Sequence, residues 1–187
     1  MEKEKNKEEE ALKRAYECCQ KAHEAWIKGN TLDAISLYEE ALEIFQNLGK
    51  LTEMANVLEK LGDIYQLRQK FDKALRAYKA CLDICENFED EISTSIIAEK
   101  IVFAYKELGE YEKMIPYLHR ILEIAERYRD PHRAGRALAG LGDAYLSTGK
   151  KEAAKEAYQL ALKIFKGMGA IEQTKILEEH LQRLEKE

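Results

Sequence analysis

The chain has 187 residues, 45% of them apolar and 35% charged, with two Pro, ten Gly and a formal net charge of −5. That mixture suits helices with one wet and one dry face. The negative balance supplies no positive field of the kind that holds a phosphate backbone, which excludes nucleic acid as an expected partner.

No stretch approaches the roughly 18 apolar residues of a membrane span. The opening MEKEKNKEEE lacks the apolar centre of a secretory signal. Cys18, Cys19, Cys81 and Cys85 are too few for a disulfide framework, and adjacent cysteines such as Cys18 and Cys19 make poor staples. The expectation is a soluble, cytoplasmic protein in a reducing compartment, with no membrane contact.

In chain order, residues 1–14 hold five acidic and five basic side chains and read as a charged, solvated extension of the first helix or a frayed tail. Residues 15–168 then repeat themselves. Leu42, Leu82, Leu122 and Leu162 form one ladder at forty-residue steps, Ile44, Ile84, Ile124 and Ile164 a second, and Tyr38, Tyr78, Leu118 and Tyr158 a third. Four repeats follow, at about 15–54, 55–94, 95–134 and 135–168. In each, Gly29, Gln69, Gly109 or Gly149 marks a turn, the glycines because a helix often ends on a residue at positive φ.

Around that turn the second repeat shows helical spacing on both sides: Val57, Leu58, Leu61, Ile64 and Tyr65 before it, Phe71, Ala74, Leu75, Tyr78 and Leu82 after. Each repeat is therefore helix, tight turn, helix. Thr31 and Asp33 suit a helix start in the first repeat, and Asp72 is placed to accept from free backbone N–H groups in the second. The third repeat departs from the others. It puts Val102, Met114 and Ile121 where its neighbours carry Gly, Ala or Cys, and Pro116 inside its second helix, so a wider or kinked hairpin is expected there. Residues 169–187, with Ile171, Leu177, Leu181 and Leu184 on one side, read as a C-terminal capping helix.

Leu61, Gly62, Tyr65, Ala74 and Tyr78 recur as Leu141, Gly142, Tyr145, Ala154 and Tyr158. This resembles the L-G-x-x-Y and A-x-x-x-F/Y signature of tetratricopeptide repeats. The forty-residue period and the missing Pro after the second helix resemble the family's longer-period subgroup, found in scaffold and signalling adaptors. The small residues Gly62, Gly142, Ala74, Ala154, Ala41 and Ala161 have a packing reason, the close approach of two helix backbones. The implied fold is all-α, an α-solenoid of four helical hairpins plus the capping helix, stabilised by stacking neighbours.

A search for chemistry finds no enzyme constellation. Cys81 and Cys85 share a helix face, but a structural zinc wants four ligands, and Cys81 fills the slot of Ala41 and Ala161. His23, His119, His132 and His180 form no close ligand pair. The Ala139-Gly140-Leu141-Gly142-Asp143 segment lacks the remainder of a phosphate loop. The expectation is a non-enzymatic protein with no cofactor and no metal. Cys19, placed facing outward, is the thiol to test for reactivity.

The resemblance implies that the first helix of each hairpin lines a concave partner-binding groove. In the first repeat that gives Cys19, His23 and Trp26; in the second Asn56, Glu59, Lys60, Asp63 and Gln66. The third contributes Ile96, Glu99, Lys100, Phe103 and Lys106, and the fourth Arg136, Ala139, Asp143 and Leu146. Trp26 and Phe103 are the aromatic anchors of the set, although Trp26 is equally placed to cover the open edge beside Ala25. The slots that grip a C-terminal carboxylate in chaperone-binding members hold Cys19, His23, Lys60, Ile96 and Lys100 here, so heat-shock chaperone tails are not assigned as ligands.

Glu86, Glu89, Asp90 and Glu91 cluster between repeats two and three, and Arg127, Arg129, His132, Arg133 and Arg136 between repeats three and four, a pattern that invites weak self-association of a monomer or reads as two solvated loops. The functional expectation is a scaffold or adaptor holding a peptide or protein segment. The alternatives are a structural self-associating repeat protein and a peptide-sensing regulatory module.

Overall fold

The computed structural model describes residues 2–186 and the side chains of residues 4–186. Met1 and Glu187, the outermost residues of the expected N-terminal extension and capping helix, lie outside the described residues. The chain divides into two compact units, Met1–Asp90 and Glu91–Glu187. The first holds α1 (Glu2–Ile27), α2 (Thr31–Asn47), α3 (Leu51–Leu67) and α4 (Phe71–Asn87). The second holds α5 (Glu91–Glu107), α6 (Tyr111–Arg127), α7 (Pro131–Ser147), α8 (Lys151–Met168) and α9 (Ile171–Lys186). The charged opening segment is helical, continuous with α1 and exposed along residues 4–10.

The helices begin at a shorter period than the sequence suggests. From Thr31 onward each starts twenty residues after the last, at Leu51, Phe71, Glu91, Tyr111, Pro131, Lys151 and Ile171. The connections between hairpins are thus built like the turns within them. Every turn centres on a residue at positive φ: Gly29, Gly49, Gly109, Gly149 and Gly169, and also Gln69 (56°), Glu89 (55°) and Arg129 (53°).

The hydrogen bonds are those of a Schellman motif at each position. At the first turn Gly29 N–H donates to the Trp26 carbonyl and Asn30 N–H to that of Ala25, both at 2.9 Å; at the sixth, Arg129 N–H reaches Glu126 at 3.1 Å and Asp130 N–H reaches Ala125 at 2.8 Å. With only two or three residues to reverse direction, consecutive helices within each unit pack side by side. The forty-residue period is therefore taken up almost wholly by the two helices of each repeat, and the turns stay tight.

α2 starts at Thr31 as expected, but the starts of α2 and α4 are not capped by side chains. Asn30 and Lys70, the N-cap residues of α2 and α4, make no side-chain cap bond, and Asp33 and Asp72 sit within the first turns, where their charge favours the helix dipole. Asp130 does cap α7: its carboxylate accepts from the Arg133 N–H at 2.9 Å, with Pro131 as the first helical residue.

In the first unit Ala15, Ala22, Ala34 and Ala41 are completely buried, letting α1 and α2 approach while Tyr38, Phe45 and Ile64 fill around them. The closest fit is between helices of one hairpin. A Cβ added at Gly62 would collide with the Tyr78 ring, and one at Gly142 with the Tyr158 ring. Each ring, seated over its glycine, extends a hydroxyl to the next residue of the facing helix: Tyr78 donates to Asp63 and Tyr158 to Asp143, both at 2.8 Å.

The third hairpin solves the same problem differently. Val102 stands in the glycine slot and Leu118 in the tyrosine slot, so a larger residue on α5 faces a smaller one on α6. Met114 and Ile121 are buried to within 2% exposure, and α5 packs less extensively on α6 than the helices of the other hairpins do on each other. α6 is one continuous helix across Pro116. Pro116 and Glu112 are both exposed, so the Glu112 carbonyl, whose helical N–H partner the proline removes, lies on the solvent side of α6 where water can satisfy it.

Two stability outcomes follow. Arg129→Gly and Gln69→Gly should each stabilise by about 1 kcal/mol in chemical denaturation, since only the side chain opposes positive φ at those exposed turns. Gly142→Ala should destabilise by about 2 kcal/mol despite its better helix propensity, because the Tyr158 ring must leave its seat. A Gly142→Ala protein as stable as the parent would refute that packing account.

Candidate partner-binding groove

The expected contact residues divide between the units. In the first, α1 carries Cys19, His23 and Trp26, and α3 carries Asn56, Glu59, Lys60, Asp63 and Gln66. Cys19 does not face outward. It is half-buried, packs with Ala25 and Trp26 against the first unit's core, and burial pushes its thiol up to about 11. Trp26 likewise covers the core edge, its ring 6.2 Å from that of exposed His23 in an edge-on arrangement. On α3 the hydroxyl of Tyr78 bonds Asp63 at 2.8 Å and Gln66 at 3.4 Å, so both already brace a hairpin.

The second unit contains a cavity of about 420 Å³, a size typical of small-molecule and side-chain pockets. One wall is α5, with Glu99, Val102, Phe103 and Lys106; the middle is α7, with Arg133, Arg136, Ala137, Ala139, Gly140 and Asp143. The opposite wall is α9, with Gln173, Ile176, Leu177 and His180. Met114, Leu118 and Ile121 of α6, with Tyr158 and Phe165 of α8, supply the apolar floor.

The hollow has a cause in side-chain size. At one register of the repeat, α3 carries Glu59-Lys60 and α5 carries Glu99-Lys100, whereas α7 carries Ala139-Gly140. Leu118 leans into the space this leaves, so that a Cβ on Gly140 would stand only 2.8 Å from it; Phe165 stands equally close to a Cβ on Gly135. The missing bulk on α7 and the apolar side chains behind it make a depression between the flanking helices.

Ion pairs cross the mouth. Lys106 Nζ lies 3.0 Å from Asp143 Oδ2, bridging α5 to α7. Glu99 receives Arg133 Nε at 2.9 Å and sits 3.6 Å from Arg136. Asp143 thus accepts from Lys106 with one oxygen and from Tyr158 with the other, and that hydroxyl, buried beside a carboxylate, is held well above the ordinary tyrosine range. Beyond the Lys106–Asp143 bridge a second hollow of about 260 Å³ continues toward Leu146 and Arg183. His180 borders both hollows, its ring 5.3 Å from that of Tyr158, and its Nδ1 is buried without a hydrogen-bond partner.

Of the expected residues, the larger cavity gathers Glu99, Phe103, Lys106, Arg136, Ala139 and Asp143, and the second hollow takes Leu146. Ile96 and Lys100 lie on α5 outside the larger cavity's lining, and no first-unit residue belongs to that lining. Sequence reasoning missed the whole α9 wall, together with Val102, Arg133 and Gly140. The signal was there: Leu61, Ile101, Leu141 and Leu181 stand forty residues apart, which sets α9 in the register of another first helix. It packs against α8 as a cap should, and it also lines the groove.

Among the described residues no group of three or more His, Cys, Asp or Glu is placed to hold a metal ion, and no helix is long and apolar enough to cross a membrane.

The family model for the tetratricopeptide repeat matches residues 25–87 and 93–167. No curated protein matches the chain in sequence. Among solved structures, the apo form of RapI is similar with a TM-score of 0.73 at 18% identity, over 90% of this chain and 64% of RapI. Aspartyl phosphate phosphatase F from Bacillus subtilis gives 0.66 at 16% identity, over 98% of this chain and 53% of the phosphatase. BtubC from P. vanneervenii gives 0.62 at 18% identity, over 97% and 90%. The chain thus spans less than two thirds of RapI and about half of the phosphatase, and at these identities the likeness is one of fold.

The Cys19 environment gives a direct check. With its thiol raised by burial, Cys19 should alkylate far more slowly than a free cysteine near neutral pH, and its rate should climb until about pH 11 as thiolate forms. Rapid labelling of Cys19 in the folded protein at neutral pH would contradict the packing described.

Proposed function

Because the chain belongs to the tetratricopeptide repeat family, we propose that it serves as a scaffold or adaptor whose second unit holds a peptide or protein segment in the hollow between α5, α7 and α9. The observation that carries this reading is the cavity itself. An apolar floor is left open at the one register where α7 loses the Glu-Lys bulk of its neighbours, and a charged rim surrounds it. Apolar pockets ringed by a few polar groups are where ligands are held.

The contacts assigned to the ligand are Phe103, a residue 45% exposed at the wall, the small Ala139, and the rim groups Glu99, Lys106, Arg136 and Asp143. Large aromatics at such places contribute disproportionately to affinity. Self-association through opposed charge patches is less well supported. Arg127 bonds Glu91, and Arg133 lies within ion-pairing distance of both Glu99 and Asp130, so much of the basic cluster is already engaged inside its own unit.

Selection of binders from an unbiased displayed-peptide library tests the proposal. Peptides recovered on the intact protein should lose roughly tenfold in affinity on Phe103→Ala, about 1.4 kcal/mol. They should lose still more on Ala139→Leu, which fills the hollow. Recovered peptides that bind both variants as well as the parent would move the site elsewhere.

A further inference from the structure

Resting on that reading of the groove, we infer that its ligand is an acidic peptide segment with a large apolar side chain between the carboxylates. Two observations carry this, one of shape and one of charge. The larger hollow is walled by Val102, Phe103, Ile176 and Leu177 over a floor of Met114 and Ile121. An apolar side chain inserted there removes its surface from water, whereas a charged one would have to be desolvated.

The rim has the opposite character to the protein as a whole. Around the two hollows stand four cations, Lys106, Arg133, Arg136 and Arg183, against two carboxylates, Glu99 and Asp143. The chain carries a net charge of −5, yet this groove has a positive excess of two. The arrangement also has a direction. The carboxylates sit low, with side chains 24% and 27% exposed, while Arg136 and Lys106 reach outward at 57% and 50%. A ligand approaching the mouth therefore meets guanidinium and ammonium groups first.

Arg136 holds Glu99 only at 3.6 Å, and Glu99 already receives Arg133 at 2.9 Å, so Arg136 keeps donors for an incoming carboxylate. Arg183 offers a second cation past the Lys106–Asp143 bridge, on the far side of the same groove. Carboxylates on either side of a buried apolar residue would meet one cation at each end. Complementary rim charges speed encounter and reject the wrong sign, and they lose strength as salt rises.

Three synthetic peptides of about ten residues, sharing a central Phe-Leu pair and flanked by Glu, Gln or Lys, test this by fluorescence anisotropy at about 0.05 M and about 0.3 M salt. The Glu-flanked peptide should bind the intact chain at least roughly tenfold tighter than the Lys-flanked one at low salt, with the gap narrowing at high salt. Replacing its Phe-Leu pair by Ser-Ser should weaken it by roughly tenfold or more. Arg136→Gln with Arg183→Gln, both exposed and checked for unchanged thermal melting, should abolish the preference, and the corresponding Glu pair should reverse it. Equal or better binding of the Lys-flanked peptide, or a preference that survives the Gln pair, overturns the inference. Affinities of all three peptides left unchanged by Ala139→Leu would instead overturn the groove reading on which it rests.

Discussion

A helix that stops after seventeen residues, with its last carbonyls bonded by two N–H groups beyond a left-handed residue, leaves its successor a single direction in which to start. Repeating that arrangement at every connection from Gly29 to Gly169 makes all the turns between helices equivalent. Side chains at a given distance from each turn then meet the same kind of neighbour in each hairpin, which is why ladders of identical residues can form at all. The constraint is strong enough that Gln69, Glu89 and Arg129 accept a backbone conformation normally left to glycine.

Within that frame, packing between paired helices is a matter of matched sizes. Tyr78 over Gly62 and Tyr158 over Gly142 are one solution, in which the ring both fills space and sends its hydroxyl to the adjoining carboxylate. Val102 against Leu118 is another, with the bulk moved to the opposite helix. The second solution has a consequence one helix further on. Leu118, having no ring to seat in its own hairpin, leans toward Gly140 of α7, where α3 and α5 carry Lys60 and Lys100 at the same register. The irregular third hairpin and the hollow of the fourth are thus two parts of one packing arrangement.

A groove of this kind is held open by elements that gain little from closing over it. Of its walls, α5 and α7 are bounded at both ends by tight turns and α9 at its start, and the Lys106–Asp143 and Arg133–Glu99 pairs hold the rim side chains in place. Such preorganisation reduces the ordering cost that binding must overcome. Exposed ion pairs add little to stability themselves, so their contribution lies in orienting the rim side chains.

The helical class, the forty-residue ladders and the small residues at helix crossings were legible in the chain, because each rests on local periodicity or on the volume of one side chain. Gly29, Gly109 and Gly149 announced turns for the same reason. The equivalent turns at Glu89 and Arg129 did not, since nothing in a Glu or an Arg signals positive φ until neighbouring helices impose it. Glu99, Phe103, Lys106, Arg136, Ala139 and Asp143 could be named as candidates from register alone. That they surround a cavity while Cys19 and Trp26 pack into a core depended on what stands behind each position. Leu118, Phe165 and the α9 wall supply that backing from helices distant in sequence. Periodicity along one helix decides which face is dry; only the meeting of several helices decides where that dry face is left uncovered.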